Sequence, residues 1–563
     1  MNREVDLRKA PYSLTEEAIN WVEETLANMD EDTKIKHLFA PIAMSTDQAE
    51  LTAWVQEFKP AGIMYRPSAA ADIQAAHRIL QENSDIPLLI GANVEAGGNG
   101  LAFEGTYVGK QLQIAATDNV DYAYQLGKIS GVEARALGCN WAFAPILDVD
   151  YNFRNPITNV RTFGSDPERV AKMAKAYQAG FESEGGAVSI KHFPGDGVDE
   201  RDQHLHLTHN SLSIEEWWKS YGKIYRTLIE SGAHTVMAGH ISFPEYSRSK
   251  GLADEEIMPA TLSKELLSDL LRDELGFNGM IVTDASVMGG FTMMHERAFS
   301  VPYSIACGAD LFLFNRDYAE DIAYMKAGIK AGILTMERVH DAVKRTLGVK
   351  ASIGLHKQKA EGRLVPSAAA LATIGTAEHE EIAREIADQA ITLVKNKEDI
   401  LPINPQKRKR VYLQALGVTE ETEIYRYFIQ KLEEVGFIVD VKPIEGWGFK
   451  DMSISVEQVK ADYDLAIFYA NEATMSNRTQ VRLNWGMLGF NIPWFLKELP
   501  TIVISTSNPY HLIDVPQVKT LINGYSDSKY VIDAIIQKLI GESEFVGINP
   551  VDPFCGDRWD LKL

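Results

Sequence analysis

Short apolar runs recur along the first two thirds of the chain, at intervals that leave room for a helix between them. They cover residues 38–44, 62–65, 87–92, 141–147, 187–192, 235–240, 279–283 and 311–314, and each reads as a strand. Between them the apolar spacing turns helical, as at 72–83, 122–137, 167–184, 262–275 and 336–347. A further helix is predicted at 14–29, where Thr15 is followed by acids as a helix start favours. Eight strands alternating with helices predict a (β/α)8 barrel of the TIM type over residues 1–355. An open doubly wound sheet is the competing arrangement. No Gly-x-Gly-x-x-Gly follows any of these strands, so a dinucleotide site is unsupported.

The polar positions that end the strands favour the barrel. Asn93 and Glu95 follow the third run, Asp148 and Asp150 the fourth, and Lys191-His192 ends the fifth. His240 ends the sixth, Asp284 follows the seventh and Asn315-Arg316 the eighth. An Asp or Asn after a strand is commonly a turn residue. Six strand ends in a row make that explanation weak, because barrel enzymes collect their chemistry on the C-terminal face.

Composition changes after Gly354. Residues 356–377 form a Lys, Ala and Ser stretch with one Pro, which reads as a linker. Beyond it, a helix at 378–390 and strands at 391–395, 411–416, 466–469 and 502–505 alternate with helices such as 425–435 and 529–540. This predicts a smaller α/β sandwich domain over 378–563.

Charge and cysteine content narrow the function. The 563 residues carry a formal charge of -22, which disfavours nucleic acid and anionic membranes as partners. Three scattered cysteines, Cys139, Cys307 and Cys555, support neither a disulfide framework nor a thiolate zinc site. The first residues, Met1-Asn2-Arg3-Glu4-Val5-Asp6, do not resemble a signal peptide, and no run is long enough to span a membrane. A cytoplasmic location is expected.

The stretch 187–210 concentrates the candidate chemistry. A β-branched run delivers Lys191 and His192, Pro194-Gly195 stops it, and a polar loop carries Asp202-x-His204. A carboxylate hydrogen-bonded to one ring nitrogen fixes an imidazole's tautomer. If the loop is extended, residues two apart point the same way and can meet.

Further segments join this one: Phe143-Ala144-Pro145-x-x-Asp148-Val149, Asn155-Pro156-x-x-x-x-Arg161-x-Phe163-Gly164, and Gly276-Phe277-x-Gly279-x-Ile281-Val282-Thr283-Asp284 with Met288. Together with Lys191-His192-Phe193-Pro194-Gly195-x-Gly197, they resemble the β-N-acetylglucosaminidase branch of glycoside hydrolase family 3. The run Ile391-Thr392-Leu393-Val394-Lys395-Asn396 resembles the start of that family's second domain. The resemblance implies a retaining hydrolase acting on terminal β-linked N-acetylglucosamine in small glycosides, with Asp284 as nucleophile. It implies His204 as general acid/base with Asp202 as its partner, and Lys191, His192, Arg161 and Asp148 as sugar-holding residues. It implies no cofactor and no metal.

The roles make physical sense. Retention requires a carboxylate that attacks the anomeric carbon and a proton donor that later acts as base. An imidazole with an unperturbed pKa near about 6.5 can serve both proton steps.

Two segments depart from the family pattern. The usual Asp-Gln-Glu-Gly-Gly-Arg-Val-x-Arg is Asn93-Val94-Glu95-Ala96-Gly97-Gly98-Asn99-Gly100 here, and the usual Gly-His-Gly is Gly195-Asp196-Gly197. Asn93 and Glu95 are therefore candidate sugar contacts of an altered kind. Three alternatives stay open. One is a β-glucosidase-like enzyme with its acid on a second-domain Glu, such as Glu445 or Glu472. A second passes the sugar to phosphate, which a neutral imidazole repels less than a carboxylate does. The third is a metal-dependent hydrolase using His192, His204, His206, His209 and His240.

Overall fold

The computed structural model describes residues 5–418, 420–444, 453–486, 489–557 and 559. Contacts divide the chain into two compact units. One holds Met1–Tyr107, Ala123–Asn152 and Pro167–Glu380, and the other Val108–Tyr122, Phe153–Asp166 and Glu381–Leu563.

In the first unit, strands Gly62–Met64, Leu89–Ala92, Trp141–Ala142, Ala187–Phe193, Thr235–Ala238 and Met280–Thr283 lie side by side in chain order, all parallel. Parallel bridges Val282 to Leu311, Phe312 to Phe39 and Ile42 to Met64 close the circuit. The expected (β/α)8 barrel is thus present, with its first and eighth strands reduced to single bridges.

Large side chains fill the interior. The Trp141 indole donates to Thr235 Oγ1 at 3.0 Å, and its ring meets Phe143 edge to face with centroids 4.6 Å apart. A side chain at Gly91 would lie 2.5 Å from the Phe143 ring, so only glycine admits that ring to the core.

The surrounding helices form where apolar spacing predicts them. Helix Pro167–Glu182 buries Val170, Met173, Ala174, Tyr177 and Phe181, a stripe at three- and four-residue steps. Helix Glu16–Asn28 is capped by Thr15, whose hydroxyl accepts from the Ala18 amide at 3.3 Å. The segment after Gly354 is more tightly bound than a free linker. Arg78 donates to the Val365 and Pro366 carbonyls at 3.2 and 2.5 Å, and Lys359 donates to those of Gln81 and Ser84, both at 2.7 Å. These bonds strap residues 359–366 along helix Ala70–Glu82.

The second unit is built on one six-stranded sheet. Its order is Ile438–Val441, Arg410–Leu416, Leu465–Ala470, Thr501–Ser505, Thr520–Asn523 and Thr392–Asn396, with only the last pairing antiparallel. Both faces of its central strands are buried, as a mostly parallel sheet requires. Leu465, Ile467 and Tyr469 join one core with helices Glu423–Glu434 and Lys529–Ile540, while Ala466, Phe468 and Ala470 join the other.

Candidate active site

The strand Ala187–Phe193 is buried at all seven positions, so its two basic residues need partners inside the protein. Lys191 Nζ lies 2.7 Å from Glu95 Oε1 and donates to Asn93 Oδ1 at 3.5 Å. Asn93 and Glu95 come from the end of strand Leu89–Ala92. The altered segment thus supplies the counter-charge of the buried lysine.

His192 is held from the neighbouring strand end. Its Nδ1 is 2.7 Å from Asp148 Oδ2 and its backbone amide donates to Asp148 Oδ1 at 3.2 Å. The same Oδ1 accepts the Asp196 amide at 2.8 Å. With Nδ1 occupied, the other ring nitrogen, Nε2, stands 3.9 Å from Asp284 Oδ2.

Asp284 follows strand Met280–Thr283. Its amide donates to the Ala238 carbonyl at 2.8 Å, and its Oδ1 accepts the Ala285 amide at 2.7 Å. Burial pushes its carboxyl up, but His192, His240 and His204, with the Ala285 amide, outweigh that and hold it below the usual carboxylate range. Asp284 is therefore ionised at neutral pH.

Beyond Phe193 the chain turns sharply. Gly195 has φ 122°, and a Cβ there would lie 2.1 Å from the Tyr221 ring. The Tyr221 hydroxyl fixes the turn by donating to the Asp196 carbonyl at 2.5 Å. The loop then brings Asp202 and His204 together, with His204 Nδ1 2.6 Å from Asp202 Oδ1. The contact does not come from an extended segment. Asp202 opens a tight turn in which its carbonyl accepts the Leu205 and His206 amides, each at 3.0 Å, and its Oδ1 accepts the His204 amide at 2.8 Å. The Asp202 side chain is fully buried, while that of His204 is 25% exposed. The imidazole is anchored at Nδ1 and open to solvent.

Three further residues of this centre have no part in the acid/base or sugar-holding chemistry expected from the sequence. His240 is buried, its ring nitrogens 2.9 Å from Thr261 Oγ1 and 3.0 Å from the Ala285 carbonyl. Burial holds it below its ordinary range despite the opposing pull of Asp284 and that carbonyl. Its position at a strand end was the available hint. Asp196 and Gln203 are both buried and hydrogen-bonded side chain to side chain at 3.3 Å. Gln203 shows no pattern beyond its neighbourhood to known candidates, whereas Asp196 was marked by its place in the altered Gly195-Asp196-Gly197.

The first unit thus assembles Asn93 and Glu95 with Lys191, Asp148 with His192 beside Asp284, and Asp202 with His204. Arg161 lies in the second unit, on the turn Asn159–Arg161, where it donates to the Ile157 carbonyl at 3.3 Å. Of the two second-domain acids, Glu445 falls outside the described residues, and Glu472 is buried and paired with Arg478. Asn315 turns away to donate to Asp321 at 3.1 Å.

The histidines do not converge as metal ligands would. His206 is exposed, and His209 bonds Ser242 Oγ at 2.6 Å. Among the described residues no group of three or more His, Cys, Asp or Glu is placed to hold a metal ion. Nor is any described helix long and apolar enough to cross a membrane.

Chemically, an ionised carboxylate near an anchored, solvent-open imidazole can attack an electrophilic carbon while a proton moves to the leaving group. Comparisons with known proteins bear on that chemistry. The family model described as "Glycosyl hydrolase family 3 N terminal domain" matches residues 30–349. The "Beta-N-acetylglucosaminidase/beta-glucosidase" of Cellulomonas fimi is 43% identical over 570 residues, covering 99% of this chain and all of that protein. Among solved structures, "Beta-glucoside phosphorylase BglX" aligns with TM-score 0.92 and 44% identity over 98% of this chain and 99% of its own. A family 3 β-N-acetylglucosaminidase from Paenibacillus sp. str. FPU-7 shares the fold, with TM-score 0.78 and 23% identity over 93% of this chain and 99% of its own.

Proposed function

The chain belongs to glycosyl hydrolase family 3, and from that membership we propose that it removes a terminal β-linked N-acetylglucosaminyl or glucosyl residue from small glycosides by double displacement. One observation carries the reading: Asp284 is held ionised beside His192, while Asp202 anchors Nδ1 of the part-exposed His204.

In the first step His204 Nε2–H gives its proton to the glycosidic oxygen. A carboxylate oxygen of Asp284 bonds the anomeric carbon, the carbon–oxygen bond breaks, and the aglycone leaves protonated. In the second step neutral His204 takes a proton from the acceptor, whose oxygen displaces Asp284 and restores the β configuration. Asp202 keeps Nδ1 occupied, so both transfers use Nε2. Lys191, His192, Asn93, Glu95 and Asp148 form the sugar-holding wall. Arg161 enters this reading through the family resemblance alone. The sugar named first is that of the resemblance, and the double name of the Cellulomonas fimi relative supports admitting glucose beside it. An activity panel of aryl N-acetylglucosaminide, N-acetylgalactosaminide and glucoside tests the assignment. Turnover of none of them overturns it.

A second reading concerns the acceptor. A neutral imidazole base admits phosphate where a carboxylate base would repel it, and the phosphorylase relative aligns over nearly the whole chain. Under this reading, added inorganic phosphate raises turnover and the product is a β-configured sugar 1-phosphate, detectable by phosphorus NMR. Free sugar alone, at a rate independent of phosphate, assigns water as the acceptor. The three cysteines are free, two of them buried, which supports a reducing, cytoplasmic location.

A further inference from the structure

The family's Gly-His-Gly is Gly195-Asp196-Gly197 here, and the mechanism above leaves Asp196 without a part. Its carboxylate has a specific partner. Asp196 Oδ2 accepts from Gln203 Nε2 at 3.3 Å, while Gln203 Oε1 accepts the His240 amide at 2.8 Å. Asp196 Oδ1 accepts the Gly197 amide at 2.7 Å. Gln203 is 1% exposed and sits between Asp202 and His204 in the chain.

The bridge therefore spans two strand ends. Asp196 follows the strand that carries His192, and His240 follows strand Thr235–Ala238, whose Ala238 carbonyl accepts the Asp284 amide. A third attachment comes from the turn after Asp284. There the Gly289 and Gly290 amides donate to the His204 and Gln203 carbonyls at 2.8 and 3.1 Å. Any side chain at Gly289 would meet the Leu205 carbonyl at 2.2 Å, so this close approach needs glycine. Both functional groups of the buried amide are used, and each bond ends on a different part of the centre.

We infer that Gln203 is a positioning residue, whose amide bridges Asp196 and His240 and thereby clamps the Asp202–His204 loop over Asp284. The inference rests on the acid/base reading proposed for His204. Asp196 is the other half of the clamp, and its replacement of the family's histidine matches the requirement for an acceptor facing the amide.

The test uses the full-length enzyme with two substrates, one with a poor alkyl leaving group and one with an activated nitrophenyl group. Gln203→Ala lowers kcat for the alkyl glycoside by about 10- to 100-fold, a part of the roughly 10²- to 10⁴-fold that positioned proton donation supplies. Formation of the glycosyl-enzyme from the nitrophenyl glycoside stays near normal, and azide accelerates its breakdown. Gln203→Glu sets a carboxylate against Asp196 and has a similar effect. The exchange variant, Gln203→Glu with Asp196→Asn, reverses donor and acceptor, keeps the charge, and regains most of the lost rate.

Equal losses on both substrates, no loss at all, or no recovery in the exchange variant would each overturn the clamp. His204→Ala measured alongside separates the two ideas. If it shows leaving-group dependence and the Gln203 variants do not, only the clamp fails. If His204→Ala shows none, the acid/base reading itself fails.

Discussion

Nε2 of His192 stands 3.9 Å from Oδ2 of Asp284, and this pair joins the two halves of the centre. The ring cannot swing away, because Asp148 holds both its Nδ1 and its backbone amide. Asp284 thus keeps a fixed imidazole neighbour without a direct hydrogen bond to it, and its other oxygen is taken by the Ala285 amide. Under the proposed mechanism, the oxygen near His192 is the one that attacks.

A trapping experiment checks this. Incubation with a 2-fluoro sugar bearing an activated leaving group should label the peptide containing Asp284, read by mass spectrometry. Asp284→Asn should lose activity on all substrates, with no rescue by azide. A label on Asp148 or Glu95 would reassign the nucleophile.

The pH dependence follows from the sign of the shift. The Asp284 carboxyl is held below the usual range because the neighbouring imidazoles outweigh burial, so the carboxylate persists into acid. Replacing His192 by Gln removes the largest lowering influence and leaves burial less opposed. The acid limb of kcat/KM, which reports the free enzyme, should therefore move to higher pH. An unchanged or downward-shifted limb would contradict the electrostatic account.

His204 and Asp202 separate by leaving group. His204→Ala should lose about 10²- to 10⁴-fold on poor leaving groups, yet show a burst with a nitrophenyl glycoside, followed by slow turnover that azide speeds. Asp202→Ala should fall between this variant and the parent, since the imidazole remains but loses its anchor at Nδ1. Stopped-flow measurement of the burst distinguishes the two.

Away from the centre, Asp310 carries a buried ionic cluster in the barrel unit. It lies 2.6 Å from Arg272 and also pairs with Arg338, with Arg345 at 3.9 Å. Burial pushes its carboxyl up, and the three guanidinium groups more than reverse this and hold it low. Asp310→Asn takes the carboxylate from buried Arg272, while Arg338 and Arg345 keep Asp341, and should cost about 3–5 kcal/mol, measured by denaturant unfolding. In the parent, the contribution of Asp310 is present above the unfolded carboxylate pKa and is lost as pH falls through the lower folded value. The variant should lack that component of acid sensitivity.

Thiazoline inhibitors probe the remaining mechanistic choice. Some hexosaminidases use the substrate's acetamido group in place of an enzyme carboxylate, and such compounds mimic the resulting intermediate. With Asp284 ionised and placed as it is, they should bind weakly. Nanomolar inhibition would contradict direct attack.

Local pattern by itself determined the barrel's alternation of strands and helices and the strand ends at which Asn93, Glu95, Asp148, Lys191, His192, His240 and Asp284 fall, but not strands Ile438–Val441 and Thr520–Asn523 of the second unit. Periodicity within a dozen residues encodes those features, because a strand or helix buries its own face. The Asp202–His204 pair was also legible, though for a different reason than extended geometry: the structure makes the contact through a turn.

Tertiary structure alone decided which of these groups meet. His192 and Asp148 are 44 residues apart in the chain, and Lys191 and Asn93 are 98 apart. Their contacts depend on strand register around the barrel, which no local period records. The same holds for the bridge from Gln203 to Asp196 and His240, and for the assignment of residues 153–166, with Arg161, to the second unit. A buried polar atom must find a partner wherever the fold brings one within reach, and that reach is a property of the packed chain.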